Sequence, residues 1–143
     1  MNMINSRNIL DLEPEVQELC YKFIAECAKN GIDVIITSTY RDNESQAALY
    51  AQGRTTPGRK VTNAKPGNSF HNHRVAFDFC PIVAGKAAWN DGNLFIHCGR
   101  IAKEIGLDWA GDWKTFKEMA HCQYTGGLTL ADFKAGKTLR DVT

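Results

Sequence analysis

Two short segments of the chain hold residue types that could do chemistry together. The first, NSFHNHRVAFDF from Asn68 to Phe79, carries His71, His73 and Asp78. The second, EMAH, sets Glu118 three residues before His121. From Arg74 to Phe79 the side chains alternate as in a strand, with Val75, Phe77 and Phe79 on one face and Arg74, Ala76 and Asp78 on the other. Asp78 is thereby flanked by residues expected to be buried, and an unpaired buried carboxylate is costly. His71, where the loop enters the strand, can bend back to the same side. A metal ion would neutralise Asp78 and account for His71. Catalytic zinc commonly takes three ligands of the His and carboxylate type and keeps a fourth position for water.

The third ligand must come from elsewhere, and His73, His97 and His121 are the candidates. Glu118 and His121 point most directly to this chemistry. On one helical turn, residues at i and i+3 share a face. With His121 on the metal, Glu118 would hang beside the open position. There it could take a proton from the attacking water and return it to a leaving amine. The spacing alone leaves this open. A histidine and an aspartate seven apart recur by chance, as does E-x-x-H, and a lone histidine is usually a hydrogen-bonded structural residue.

The elements that must position these residues are legible from pattern. Val16, Leu19, Cys20, Phe23, Ile24, Cys27 and Ala28 recur at helical spacing after Asp11, an N-cap candidate, and Pro14, with Asn30-Gly31 as the stop. This helix is expected to cover one face of a sheet. DVIITS, Asp33 to Ser38, predicts a buried strand. Asp42 or Asn43 can cap a helix running to about Gln52, which Gly53 closes. Residues 54–68 read as a long surface loop, and such loops in compact domains are often functional. The histidine-bearing strand follows, is expected to stop at Pro81, and turns at Ala84-Gly85. Asn90-Asp91 caps a third helix with Leu94, Cys98, Ile101, Ala102 and Ile105 as its stripe. WAGDW (109–113) predicts a turn with aromatic anchors, 121–124 a short strand and 130–134 a last short helix. The pattern is α+β: a small antiparallel sheet with helices on one side.

The 143 residues predict one domain without internal repeats. A formal net charge of +1 favours neither nucleic acid nor an anionic membrane surface. No apolar run is long enough to span a bilayer, so no membrane insertion is expected. The N-terminal segment MNMINSRNILDL lacks the pattern of a signal peptide, which predicts synthesis in the cytoplasm. Five cysteines, Cys20, Cys27, Cys80, Cys98 and Cys122, are an odd number without C-x-x-C spacing and read as buried thiols, not a disulfide framework. Competing readings stand beside the metal site. Cys80, Cys98 and Cys122 could hold a structural zinc. Cys80 or Cys122 could serve a Cys-His peptidase, which would leave Asp78 and Glu118 without a role. His73 reads as a surface or supporting residue, His97 as structural, and Trp89, Trp109 and Trp113 as packing anchors, with the cleft wall as an alternative for Trp109 or Trp113.

Several ordered motifs resemble one family. Ser69-Phe-His71-Asn-His-Arg-Val-Ala76-Phe-Asp78 resembles the S-x-H-x-x-G-x-A-x-D signature of zinc peptidases that cut bacterial cell-wall peptides. These are the D-alanyl-D-alanine carboxypeptidases and dipeptidases, and the L-alanyl-D-glutamate endopeptidases of phage endolysins and bacterial autolysins. Glu118-x-x-His121 is similar to their second motif. Thr39-Tyr40-Arg41, Gln46 and Leu49-Tyr50-Ala51-Gln52-Gly53-Arg54 resemble their substrate-binding segment, and Trp109-x-Gly111-Asp112-Trp113 also fits. The resemblance runs from about Leu12 to Gly136. It implies zinc held by His71, Asp78 and His121, and Glu118 as general base and then general acid. Arg41 would stabilise the carbonyl oxygen or pair with a substrate carboxylate, and Gln46 and Ser69 would hydrogen-bond substrate. It also implies the fold of the D-Ala-D-Ala carboxypeptidase and hedgehog-like zinc peptidases. This sequence has Arg74 where the motif has glycine, Ala110 where a second glycine is common, and Cys122 where an aromatic is frequent.

The expectation is a single zinc peptidase domain over 1–143 without a separate wall-binding domain. It would hydrolyse peptidoglycan stem peptides as a monomer, as an L-alanyl-D-glutamate endopeptidase of the phage or prophage endolysin kind. It would be made in the host cytoplasm and act on the wall after release. The alternatives are a D-alanyl-D-alanine carboxypeptidase or dipeptidase with the same metal site, and a non-catalytic zinc-containing wall-binding module.

Overall fold

In a computed structural model, which describes residues 3–115 and 117–142, the chain folds around a five-stranded antiparallel sheet. Its strands are β1 (Asp33–Ser38), β2 (Ala76–Val83), β3 (Lys86–Ala87), β4 (Asp108–Trp109) and β5 (His121–Gln123). The order is β1-β2-β5-β4, and β3 pairs with the far end of β2. The helices are α1 (Pro14–Lys29), α2 (Asn43–Ala51), α3 (Gly92–Glu104) and α4 (Leu130–Lys134). All four lie where the sequence pattern sets them.

The core fills one side of the sheet. Phe77 and Phe79 of β2 meet Phe23 of α1 with ring centroids 5.8 and 4.9 Å apart, and Phe79 meets Phe95 of α3 at 5.5 Å. Phe95 belongs to the buried stripe of α3 although the predicted stripe omits it. Trp109 of β4 is sealed under α3. A Cβ on Gly99 would lie 2.3 Å from the Trp109 indole, so the helix approaches the ring only because that position is glycine.

Local chemistry explains the remaining boundaries. Pro14 opens α1 at its first position, where no N–H is needed, and the cap residue is Glu13 rather than Asp11. Asp11 ends a 3₁₀ turn over Ile9–Asp11 and accepts the Ser6 hydroxyl. The Asp42 carboxylate caps α2 by accepting the Ser45 N–H at 2.8 Å, and Asp91 caps α3 through the Leu94 N–H at 3.1 Å. Strand β1 lies at the sheet edge with Ile35 exposed, so it is less buried than its β-branched run predicts.

Strand β2 also differs from expectation at both ends. It begins at Ala76, and His71 and His73 sit before it in a 3₁₀ turn, Phe70–His73. It runs through Pro81 to Val83. The Phe79 N–H points toward β5 and donates to the Ala120 carbonyl. Two residues on, the proline nitrogen faces the same side, beyond the end of β5, where no ladder bond is owed. The proline carbonyl there accepts the Ala88 N–H at 2.9 Å. Ala84 and Gly85, both at positive φ, then turn the chain into β3.

Candidate active site

The opposite side of the sheet bears a cleft of about 680 Å³ whose lining includes Arg41, Ser69, His71, Asp78, Glu118 and His121. The alternation of two paired strands creates it. Asp78 of β2 lies directly across from His121 of β5, and Phe77 across from Cys122, so carboxylate and imidazole share the face opposite the core. The 3₁₀ turn brings in His71. The Ser69 hydroxyl accepts the His71 N–H at 3.2 Å, and the Asn72 side chain closes a reciprocal capping box. Arg74 follows this turn at φ +65°, the left-handed conformation that the resembling motif gives to glycine. Its side chain turns away from the cleft, stacks over Tyr40 and donates to the Asp11 carbonyl at 2.9 Å.

Both imidazoles are oriented from behind. His71 Nδ1 lies 2.8 Å from the Thr39 carbonyl oxygen, so that nitrogen carries the proton and Nε2 is bare. His121 Nε2 lies 2.8 Å from Gln123 Oε1 and donates to it, so its Nδ1 is bare. The two bare nitrogens point at one carboxylate oxygen, Asp78 Oδ1, at 3.2 and 3.3 Å. His121 Nδ1 is buried without a hydrogen-bond partner. Three lone pairs thus converge, with ligand atoms within 4.8 Å of one another, and a bound cation relieves this repulsion. The donor set is that of a three-ligand catalytic zinc site. It is the one such His, Cys, Asp or Glu cluster among the described residues.

Glu118 stands beside the triplet, with Oε2 3.5 Å from His121 Nδ1. Of the two expectations for residues 114–121, a loop or a single helical turn, the stretch before β5 is the loop, ending in a tight turn closed by the His121 N–H on the Glu118 carbonyl at 3.2 Å. It still brings positions i and i+3 together. Burial raises the Glu118 carboxyl above its ordinary range; His121 opposes this and the Asp78 charge adds to it. Burial acts on Asp78 in the same direction. The positive charge of the His71 and His121 imidazoles in their protonated form, the form they take when no cation sits between them and the carboxylate, overcomes it and holds that carboxyl below its ordinary range. One carboxylate is thus fixed as an anion and the other is inclined to take up a proton.

Arg41 is the cation of this cleft. Its Nη1 donates to Gln46 Oε1 at 2.9 Å, and its Nη2 donates to the Ser38 hydroxyl at 3.2 Å and lies 3.8 Å from Asp78 Oδ2. Gln46 is fully buried beneath it and not on the cleft wall. The Gln46 amide nitrogen donates to the Ala64 carbonyl at 2.7 Å, so its polar atoms are spent inside the protein. Ser69 lines the cleft and also holds the His71 turn.

The other singled-out residues lie elsewhere. His73 bonds the Gly67 carbonyl and stacks on Phe133, and His97 is exposed on α3. Cys122 faces the core, where burial pushes its thiol well above the ordinary range, so it is not a poised nucleophile. Trp109 is a packing anchor whose Nε1 donates to the Met119 carbonyl at 2.8 Å, whereas Trp113 lines the cleft near His121. The sequence reading missed Gln123, although its place two residues past His121 on the same strand face was a usable signal. It also missed Asn72, whose amide ties Gly67, Ser69 and the Arg41 carbonyl together.

With this fold and site, the chain belongs to the family described as VanY: D-alanyl-D-alanine carboxypeptidase, which matches residues 9–126. Over 122 residues it is 39% identical to the peptidoglycan L-alanyl-D-glutamate endopeptidase CwlK of Bacillus subtilis (strain 168), covering 79% of this chain and 73% of that protein. It is 28% identical to the L-alanyl-D-glutamate peptidase of Listeria phage A118, over 82% of this chain but only 39% of the phage protein. The fold matches the L-Ala D-Glu endopeptidase ChiX of Serratia marcescens with a TM-score of 0.65, 18% identity and 92% of each chain covered. It also matches a mutant of the D,D-pentapeptidase VanY in complex with Zn(II), with a TM-score of 0.62, 15% identity, and 92% and 83% covered. At these identities the two structures speak to the fold alone.

Proposed function

We propose that this protein is a zinc-dependent peptidase that hydrolyses the L-alanyl-D-glutamate bond of peptidoglycan stem peptides. The observation that carries the reading is the convergence of two bare imidazole nitrogens on Asp78 with a second carboxylate beside them. The relatives named for that bond supply the substrate class. His71, Asp78 and His121 would hold the zinc. The metal would supply Lewis-acid chemistry, making water acidic near neutral pH and polarising a carbonyl.

The chain's own groups do the rest. Glu118, with its carboxyl raised by burial, takes the proton of the attacking water and passes it to the departing amine. Arg41, held by Gln46 and Ser38, faces the charge that develops on the carbonyl oxygen. Thr39 and Gln123 fix the two imidazoles in the tautomers that leave the facing nitrogens bare. Gln46 positions Arg41, and Ser69 meets substrate while holding the His71 turn.

No helix among the described residues is long and apolar enough to cross a membrane. The likeness to the phage peptidase supports a role as an endolysin, made in the host cytoplasm and acting on the wall after release. The family's carboxypeptidase description keeps a D-alanyl-D-alanine exopeptidase as the second reading. Mass spectrometry of purified peptidoglycan fragments after incubation with zinc-loaded protein separates them. A new D-glutamate amine is expected. Loss of terminal D-alanine alone would transfer the assignment to the exopeptidase, and intact fragments would favour a binding module.

A further inference from the structure

Arg41 and the metal-ligand candidates come from separate stretches of chain, and one side chain joins them. Arg41 lies three residues past Ser38, where β1 ends, so the β1–β2 ladder does not reach it. Ile4 and Ser6 brace Thr39, Tyr40 and Asp42 from one side. The Arg41 peptide turns to the other side, to the 3₁₀ turn that carries His71. Its N–H donates to the His71 carbonyl at 3.1 Å, and its carbonyl accepts from the Asn72 side-chain nitrogen at 2.8 Å. The same nitrogen reaches the carbonyl of Asp42, the cap of α2, at 3.4 Å. At the other end of the amide, Asn72 Oδ1 accepts the N–H groups of Gly67 and Ser69, each at 3.1 Å.

A side-chain amide offers two donors and two acceptor sites, and here all four are used. Three parts of the cleft meet at this group: the end of the long loop at Gly67, the turn that carries His71, and the segment from Arg41 into α2. The division is directional. The oxygen holds the metal-ligand side and the nitrogen holds the Arg41 side. Aspartate has the same shape but no donor, so it could serve only the first of these. The guanidinium has little else to correct its aim. Its two terminal nitrogens are committed to Gln46 and Ser38, and Nε is buried without a hydrogen-bond partner among the described residues.

We infer that Asn72 is a positioning residue for the reaction. Its amide nitrogen sets the Arg41 guanidinium against the charge that develops on the substrate carbonyl oxygen, and its amide oxygen keeps the His71 turn in place. The inference rests on the peptidase reading and adds what keeps the cation and the metal site in register. Asn72 is not on the cleft wall, so it acts through Arg41 and on kcat rather than on KM.

The test makes Asn72→Asp and Asn72→Ala in the wild type and in Arg41→Ala protein, all zinc-loaded. Asn72→Asp keeps the two acceptor contacts and loses the donor. Its kcat on a wall peptide should fall about tenfold with KM little changed, on a scale where a displacement of about 1 Å costs about 10²-fold. Its zinc content should equal that of the wild type. In the Arg41→Ala background the same change should cost less than about twofold, because the partner it acts through is gone. Asn72→Ala should lose kcat likewise and release zinc more readily on dialysis. The Arg41 Nε–H signal in nitrogen-edited NMR needs no turnover. It should shift or broaden in Asn72→Asp while the Trp109 indole N–H stays in place. Full kcat in Asn72→Asp, an equal loss in both backgrounds, or an unmoved Arg41 signal would overturn the inference. So would a loss confined to the aspartate variant, which would trace to its charge. If the Arg41 signal moves as expected while the wild type cuts no wall peptide, the link from Asn72 to Arg41 stands and the peptidase reading falls.

Discussion

Phe77 and Asp78 are neighbours on β2, yet one is sealed under α1 and the other ends in a cleft between two imidazoles. The same division runs through β5, where Cys122 is buried in the core and His121 lines the cleft. On the core side, the contacts close within the chain: ring against ring, indole against glycine. On the cleft side, the supporting atoms are satisfied and the forward ones are not. Thr39, Gln123, Ser38 and Gln46 each fill one valence of a functional group and leave the next open. One face of the sheet is complete as a folded object, and the other is complete only with something bound.

The largest effect that sharpens this contrast falls on the cleft side. Glu118→Gln should lower turnover by about 10²–10⁴-fold, the usual contribution of a positioned general base. Zinc content and the denaturation midpoint should hold, so single-turnover kinetics and metal analysis on one sample check the claim. On the core side, Phe79→Ala should remove about 3–5 kcal/mol of stability in urea unfolding of metal-free protein, through the cavity it leaves against Phe23 and Phe95. The fraction that stays folded should still bind zinc.

Smaller effects follow. Gly99→Ala should cost about 1–3 kcal/mol, because the new methyl meets the Trp109 indole. Gln46→Ala should lower kcat/KM by about tenfold without releasing zinc, the scale expected when a charged donor loses one hydrogen bond; an unchanged kcat/KM would break the positioning role. The smallest signal is a silence. Burial pushes the Cys20 thiol up to about 12 and raises Cys122 well above its ordinary range. Near pH 8 both should resist alkylation in native protein and react once it is denatured, which peptide mapping will read.

The core side was legible because it follows period. The stripe of α1, the cap of α2 and the turn before β3 rest on local rules that the residues state directly. The cleft was legible only in part. His71, Asp78 and His121 announced themselves by type, and the structure brings them together. The resemblance implies a substrate ligand at Gln46, and the residue's burial was not legible beside it because it depends on a loop eighteen residues away in the chain, where the Ala64 carbonyl takes its amide. Pro81 reads as a stop because its missing donor matters only if a neighbour needs it, and where β5 ends is set by tertiary pairing. Thr39 contributes a backbone carbonyl, which no side-chain pattern announces. At Glu118 and His121 the sequence left loop and helical turn open, and the pairing was readable either way because a tight turn delivers the same i, i+3 approach as a helix.

The central claim is that the open valences of the cleft face form one zinc site. The most direct measurement is the zinc content of dialysed protein, wild type beside His71→Ala and His121→Ala, with the thermal midpoint followed on zinc addition. The account predicts one equivalent of zinc and a raised midpoint for the wild type, and loss of both in each variant. Equal zinc content in all three proteins, or a wild type whose midpoint ignores zinc, would contradict it.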